Sequence, residues 1–359
     1  MRTFPYPVDH AIPLILAPMA GVSESPFRRL CRRHGADIVV TEFLSAEGIR
    51  RENEATLAKL RFGADERTIG VQIFGSDPAA MADAAALVTD VFSPEFVDIN
   101  FGCPVKKVVK RNGGSGCLKD LSLVEEIIRA VVRATSLPVT CKIRSGWSEE
   151  MRDPVAIGLR CQDAGVRAIA LHPRTRAQMY TGAARWDEIA RLVDALDIPV
   201  IGNGDIRNAA DAHRMWVETK CAGVMIARGS FGQPWIFSEA RALIEGREPP
   251  PTPSIAERFA VALDHARMVQ DYEPDPIGAA LEFRKHLGWY VRGIPHSSDV
   301  RKRLHQVNSF SEVEGIFGDY LAALERGPFG DAFGDAFGAA FGRAESGIHD
   351  TGLVAVEAG

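Results

Sequence analysis

The sequence predicts an α/β fold, a (β/α)8 TIM barrel followed by a C-terminal helical bundle. Three observations predict it: eight short apolar segments rich in β-branched residues, helical-period stretches between them, and a change to strand-free helical spacing after a proline cluster. Strands that are apolar on both faces belong to a parallel sheet covered by helices. Eight such units over roughly 240 residues suit a closed barrel better than an open sheet.

In chain order, the predicted strands are residues 12–17, 37–41, 69–74, 96–100, 138–143, 167–172, 198–203 and 222–228. Helical spacing fills 78–91, 121–134, 154–164, 186–196 and 208–219, several of these stretches opened by Ser, Asp, Asn or Pro start signals. Residues 247–254 form a stiff linker, because Pro249, Pro250, Pro251 and Pro253 cannot continue a helix. This divides the chain into a barrel domain (1–246), the linker, a helical domain (255–326) and a tail (327–359). Within the helical domain the spacing predicts helices over 255–271, 277–291, 298–307 and 311–325. In the tail a Phe-Gly-Asp-Ala tetrapeptide repeats imperfectly from 329 to 344, too short and Gly-rich for a solenoid, so disorder is expected and no role is assigned.

Composition narrows the function. The 359 residues are 46% hydrophobic and 25% charged, an ordinary globular balance. The six cysteines show no Cys-x-x-Cys pair and no His partner at zinc-ligand spacing, so neither a metal site nor a disulfide framework is expected. Apolar runs are strand-sized and the N-terminus lacks a secretion signal, so no membrane association and a cytoplasmic location are expected. A net charge of −5 argues against a general nucleic-acid coat but allows a local basic surface. A monomer is expected.

Barrels of this kind build their sites at the C-terminal ends of the strands. Here those ends read Ala17-Pro18-Met19-Ala20-Gly21, Gln72, Asn100-Phe101-Gly102-Cys103-Pro104, Lys142-Ile143-Arg144, His172-Pro173-Arg174-Thr175-Arg176, Asn203-Gly204-Asp205 and Ala227-Arg228-Gly229. The last two resemble a phosphate cradle, with Gly202, Gly204 and Gly229 letting backbone approach an anion and Arg228 beside them. Tight βα turns would explain any one of these glycines equally well. Lys142 closes an apolar strand, where an unpaired charge is costly, so it faces an anion, forms a salt bridge, or serves as a Schiff-base amine. Gln72 and Asn203 carry both donors and acceptors suited to a heterocycle edge, or to a satisfied core amide. Cys103, between Gly102 and Pro104, is poorly placed for packing and well placed to move a proton. Cys31, Cys117, Cys141, Cys161 and Cys221 read as core fillers.

Two basic regions stand out. Residues 104–119 carry Lys106, Lys107, Lys110, Arg111 and Lys119 with no acid, either a solvated surface or a polyanion site that favours a thiolate at Cys103. Residues 281–306 carry Arg284, Lys285, Arg292, Arg301, Lys302 and Arg303 against Glu282 and Asp299, interleaved with Trp289, Tyr290 and three histidines. That mixture suits phosphate contacts with base stacking, although Trp289 is expected to pack.

Taken in order, these motifs resemble the tRNA-dihydrouridine synthases, in particular their bacterial B-type branch, from about Pro13 to Ala323. The likeness rests on Pro18-Met19-Ala20-Gly21, Gln72-Ile73-Phe74-Gly75, Asp98-Ile99-Asn100-Phe101-Gly102-Cys103-Pro104, Lys142-Ile143-Arg144, His172-Pro173-Arg174-Thr175-Arg176, Asn203-Gly204-Asp205-Ile206 and Ala227-Arg228. It implies FMN over the barrel mouth, its ring near Pro18, Met19, Ala20, Gln72 and Lys142 and its phosphate near His172, Asn203, Gly204, Asp205, Ala227 and Arg228, with NADPH (or NADH) as reductant. It further implies that a uridine flipped out of the tRNA D-loop receives hydride at C6 and a proton from Cys103 at C5. Asn100 would hold the base. Lys106, Lys107, Arg144, Arg174 and Arg176 would meet uridine or nearby phosphates, and Arg284, Lys285, Arg301, Lys302 and Arg303 the tRNA body. Rival readings are a flavin-dependent reductase of a free pyrimidine or enone, a non-catalytic RNA-binding barrel, and a Schiff-base lyase using Lys142.

Overall fold

A computed structural model describes residues 3–110 and 112–325. The Phe-Gly tail (327–359), Arg111 and the side chain of Lys107 lie outside the described residues. The strands are β1 (Leu14–Leu16), β2 (Ile38–Val40), β3 (Leu44–Ser45), β4 (Ile69–Phe74), β5 (Phe96–Phe101), β6 (Val139–Arg144), β7 (Ala168–His172), β8 (Val200–Asn203) and β9 (Gly223–Ile226). All pairings are parallel, and the ladder closes because β1 bonds both β2 and β9 while β2 bonds β4. The protein is an eight-stave (β/α)8 barrel.

The unexpected two-residue strand β3 explains itself through register. Val40 pairs with Gly70, and Leu44 pairs with Ile73. The β2–β3 stave therefore advances one residue more than β4, which is a bulge. Thr41 fills the gap: its N–H donates to Gly70 O at 3.0 Å and its hydroxyl accepts from Gln72 N–H at 3.1 Å.

Every residue of β5 and β7 is buried, because helices cover the outer face and side chains fill the inner one. Several helices start where the sequence supplies caps. Asp77 accepts from Ala79 N–H ahead of Pro78–Leu87, Asp120 from Ser122 and Leu123 N–H ahead of Leu121–Ala134, and Asn208 from Asp211 N–H ahead of Ala209–Thr219. At the N-terminal end of β5 the Tyr6 ring stacks on Phe96 at 4.2 Å. A void of about 10 Å³ lies inside the barrel beside Tyr6, Ile15 and Phe96, and the strand residues around it are buried, so the interior is a packed core and the polar strand ends lie at the rim.

By its contacts the chain forms two compact units, 3–230 with 234–250, and 231–233 with 251–325. The second holds helices Ile255–Tyr272, Pro276–Tyr290, Ser297–Leu304 and Phe310–Glu325. Its first helix opens on a reciprocal cap between Ser254 and Glu257, and Asp275 caps the next. Phe259 stacks on Phe317 at 3.9 Å in its core, and Trp289 packs face to face on Phe231 at 4.0 Å.

Candidate active site

At the end of β5 the chain turns on Asn100. The Asn100 Oδ1 accepts from Gly102 N–H at 3.0 Å and from Cys103 N–H at 2.8 Å, a side chain standing in for backbone at a tight turn. The Cys103 carbonyl accepts from the N–H (3.1 Å) and hydroxyl (2.8 Å) of Ser115, which folds the basic loop back over the turn. Cys103 is consequently buried, 1% exposed, rather than standing open on a rim loop as its neighbours Gly102 and Pro104 suggest.

Beside this turn, register places Lys142 opposite Asn100 and Asp98 between Gln72 and Thr140. Gln72 Nε2 donates to Asp98 Oδ2 at 2.6 Å, Thr140 Oγ1 to Asp98 Oδ1 at 2.5 Å, and Asn100 Nδ2 to Gln72 Oε1 at 2.7 Å. Burial pushes Asp98 up to about 6, although bonds from Gln72 and Thr140 and the Lys142 charge oppose it. Burial, then the Arg144 charge, lowers Lys142 to about 8 against the pull of Asp98 and Cys103. Asp98 stood in the sequence only as the first residue of the Asp98-Ile99-Asn100-Phe101-Gly102-Cys103-Pro104 run, with no role of its own. A lone carboxylate at the same strand parity as Asn100 was the available signal, since its burial demands partners.

Across the rim, Met19 is held by Ser23, whose hydroxyl accepts from Met19 N–H at 2.9 Å. Ser23 is held in turn by Arg28, which is paired with fully buried Glu66 at 2.6 Å. Pro18 is buried with Met19, and Ala20 is half-buried.

The turns after β8 and β9 approach closely. A Cβ on Gly229 would lie 2.3 Å from the Ile206 carbonyl oxygen, and Gly204, with φ +116°, has His172 Cδ2 2.7 Å from its Cβ position. Asn203 Nδ2 donates to Met225 O at 2.8 Å, tying the two strand ends together. Ala227 is half-buried and Arg228 is exposed at this edge. Burial and the surrounding charges of Arg144, Lys142, Arg174 and Arg228 hold His172 far below the usual imidazole range, so it is neutral. Arg174 can only donate, so the His172 Nε2 at 3.2 Å accepts and the proton resides on Nδ1. Tyr180, another residue the sequence did not mark, lies under the Arg228 guanidinium at 4.3 Å and near that of Arg144 at 5.4 Å.

The expectation that Arg174 meets uridine or phosphate is corrected. It is 2% exposed, and all five of its donor hydrogens are engaged, by both Asp205 carboxylate oxygens at 2.8 Å, Thr181 O, Gly182 O and His172. Asp205 is corrected in part for the same reason. Burial would raise its carboxyl, but the bonds from Arg174 and Ala184 N–H lower it, and only its backbone remains for an anion. Arg144 spends three donor hydrogens on Gly102, Thr175 and Met179 carbonyls, leaving Nη2. Arg176 lies 4.7 Å over the Trp147 ring, which also meets Lys119 Nζ at 4.1 Å, and Lys106 is exposed.

In the helical unit Lys302 is exposed, while Lys285 and Arg301 are half-buried. Arg303 pairs with Asp319 at 3.0 Å, and Arg284 donates to Val307 O and Asn308 Oδ1. Among the described residues no helix is long and apolar enough to cross a membrane.

Residues 15–325 match the family model described as Dihydrouridine synthase. A probable tRNA-dihydrouridine synthase of Rickettsia bellii is 36% identical over 296 residues, 82% of this chain and 90% of that protein. The tRNA-dihydrouridine synthase B of Pseudomonas aeruginosa is 37% identical over 307 residues, 86% of this chain and 91% of that protein. Among solved structures, 6-hydroxypseudooxynicotine amine oxidase from Pseudomonas geniculata aligns with a TM-score of 0.53 at 12% identity, covering 75% of this chain and 52% of that chain, a likeness of fold alone.

Proposed function

The chain belongs to the dihydrouridine synthase family, and from that premise we propose that it reduces D-loop uridines of tRNA to 5,6-dihydrouridine, with FMN as its flavin and NADPH as reductant. One observation carries the reading: Lys142, Arg144 and Arg228 converge with a neutral His172 at one rim, and the Cys103 turn adjoins them. Such a concentration of positive charge favours an anionic ligand.

The rim suits a flavin mononucleotide. Only glycine fits at 229, so the turns after β8 and β9 present bare backbone, and Arg228 supplies the cation for a phosphate. Met19, Gln72 and Lys142 would flank the ring. Gln72 keeps one amide hydrogen and one oxygen lone pair beyond its bonds to Asp98 and Asn100. Hydride delivery to uridine C6 is the chemistry FMN supplies when bound.

The protein's own part is the proton. Charge developing at C5 is conjugated with the C4 carbonyl, so the Cys103 thiol is a competent donor. Asn100 mainly shapes the turn that presents Cys103, with one amide hydrogen left for the base. Cys103 is 1% exposed, and the segment that follows it carries the lysines that tRNA phosphates would draw. Arg301, Lys302 and Arg303 are proposed to hold the tRNA body. The test is nucleoside mass spectrometry of unmodified tRNA transcript incubated with FMN-loaded protein and NADPH. The expected result is a gain of two hydrogens at D-loop uridine; none, with flavin bound and tRNA folded, overturns the reading.

A further inference from the structure

The side chains of Thr140, Asp98, Gln72 and Asn100 form one directed hydrogen-bond chain that ends on the backbone N–H groups of Gly102 and Cys103. Both ends fix its direction. The backbone N–H groups can only donate, so Asn100 must turn its oxygen to them and its nitrogen to Gln72. Gln72 must then offer oxygen to Asn100 and nitrogen onward, which requires an acceptor oxygen at position 98. An ionised carboxylate is that acceptor, and Thr140 binds its other oxygen. Asp98, Gln72 and Thr140 are all buried, at 6%, 0% and 3% exposure, so water does not readily replace a missing partner.

We propose that Asp98 is a positioning residue which, through Gln72 and Asn100, sets the place of Cys103 without touching substrate. The inference rests on the reading of Cys103 as the proton donor. Its first test, however, needs neither tRNA nor NADPH. Asp98→Leu keeps the branched shape with bulkier methyl ends and removes the acceptor, leaving Gln72 Nε2 unsatisfied. Asp98→Asn keeps an oxygen for Gln72 and can donate its amide to the Thr140 hydroxyl, so the chain survives. Thr140→Val acts at the far end of the chain and changes volume little.

The readout is the rate of Cys103 alkylation by iodoacetamide, mapped by peptide mass spectrometry against the other five cysteines. Asp98→Leu is expected to accelerate it about ten-fold or more, the scale of losing a charged hydrogen bond. Thr140→Val is expected to move it the same way by a smaller factor, and Asp98→Asn to stay close to wild type. In the FMN-loaded enzyme, Asp98→Leu should lower kcat for tRNA about ten-fold while tRNA KM and flavin reduction by NADPH hold, and Asp98→Asn should restore kcat.

Wild-type alkylation in both Asp98→Leu and Thr140→Val overturns the proposal. Should Asp98→Leu fail to fold, Thr140→Val decides it alone. If Asp98→Asn is as damaging as Asp98→Leu, the charge beside Lys142 matters rather than the acceptor, and the assignment falls. Altered alkylation in a protein that never reduces tRNA would instead sink the functional reading while leaving the positioning chain standing.

Discussion

Gly229→Ala tests the cradle most directly. The new methyl would start 2.3 Å from the Ile206 carbonyl oxygen, so the turn after β9 must retreat by about 0.7 Å to reach the 3.0 Å below which real Cβ contacts essentially do not occur. The obstacle is backbone and cannot rotate away. Overpacking of this kind costs about 1–3 kcal/mol of stability. If the two turns together hold the phosphate, a displacement of that size weakens one or two charge-assisted hydrogen bonds, each worth about 1.5–3 kcal/mol. A loss near 3 kcal/mol corresponds to roughly 100-fold weaker FMN binding. Quenching of flavin fluorescence during titration of the flavin-free protein measures that affinity, and melting with and without FMN measures the linked stabilisation. At FMN concentrations about 1,000 times the wild-type Kd, stabilisation should fall from about 4 to about 1.4 kcal/mol. Gly315→Ala is the control: its Cβ meets nothing within 4 Å, so it should gain about 0.5–1 kcal/mol and leave FMN affinity unchanged. A Gly229→Ala protein that melts lower yet binds FMN like wild type would place the phosphate elsewhere.

Cys103→Ala should leave flavin binding and NADPH oxidation intact while lowering dihydrouridine formation by about 10²–10⁴, and full turnover on tRNA would remove Cys103 as donor. The triple variant Arg301→Ala, Lys302→Ala, Arg303→Ala should weaken tRNA binding and reduce the slope of log Kd against log salt by less than about 3, because Arg303 pairs with Asp319 and Lys302 with Asp299. Unchanged binding across several salt concentrations would put the tRNA surface elsewhere. With Lys142 lowered from 10.5 to about 8 by burial and then by the Arg144 charge, its cation is present below pH 8 and lost above it. Bound FMN adds an anion beside this ammonium and holds its proton to higher pH, so uridine reduction should decline only at a pH above about 8, and Lys142→Met should lack that limb. In the flavin-free protein the sign for stability is opposite. Between about pH 8 and 10.5 the unfolded chain binds a proton the folded one does not, so this residue's contribution to stability rises with pH across that window, by comparison of melts with Lys142→Met.

The staves were legible because strand signals are local: apolar runs such as 69–74 and 167–172 need no distant partner to announce them. The β2–β3 bulge was not legible. It depends on the Thr41 hydroxyl accepting from Gln72, a residue 31 positions away, and nothing in 37–45 alone requires it. Arg174 shows the same limit at the site. A charged residue beside His172 at a strand end reads as an anion ligand, yet Asp205, from the turn after β8, meets it with both carboxylate oxygens. Which of several rim cations is already neutralised is a non-local fact, and only those left over, Arg228 and Lys142 foremost, can attract a ligand.

Asp98 carries that reasoning one step further. Polar side chains are expensive inside a barrel unless every donor finds an acceptor, so a row of them spanning β4, β5 and β6 has to be solved as one pattern. Here the pattern starts at Thr140, runs inward through Asp98 and Gln72, and ends on the two N–H groups that fix the Cys103 turn. A packed apolar layer at these positions would satisfy the core equally well but would leave those N–H groups, and with them the direction in which Cys103 is presented, without a partner. The polar residues at this end of the barrel are therefore best explained by what they aim.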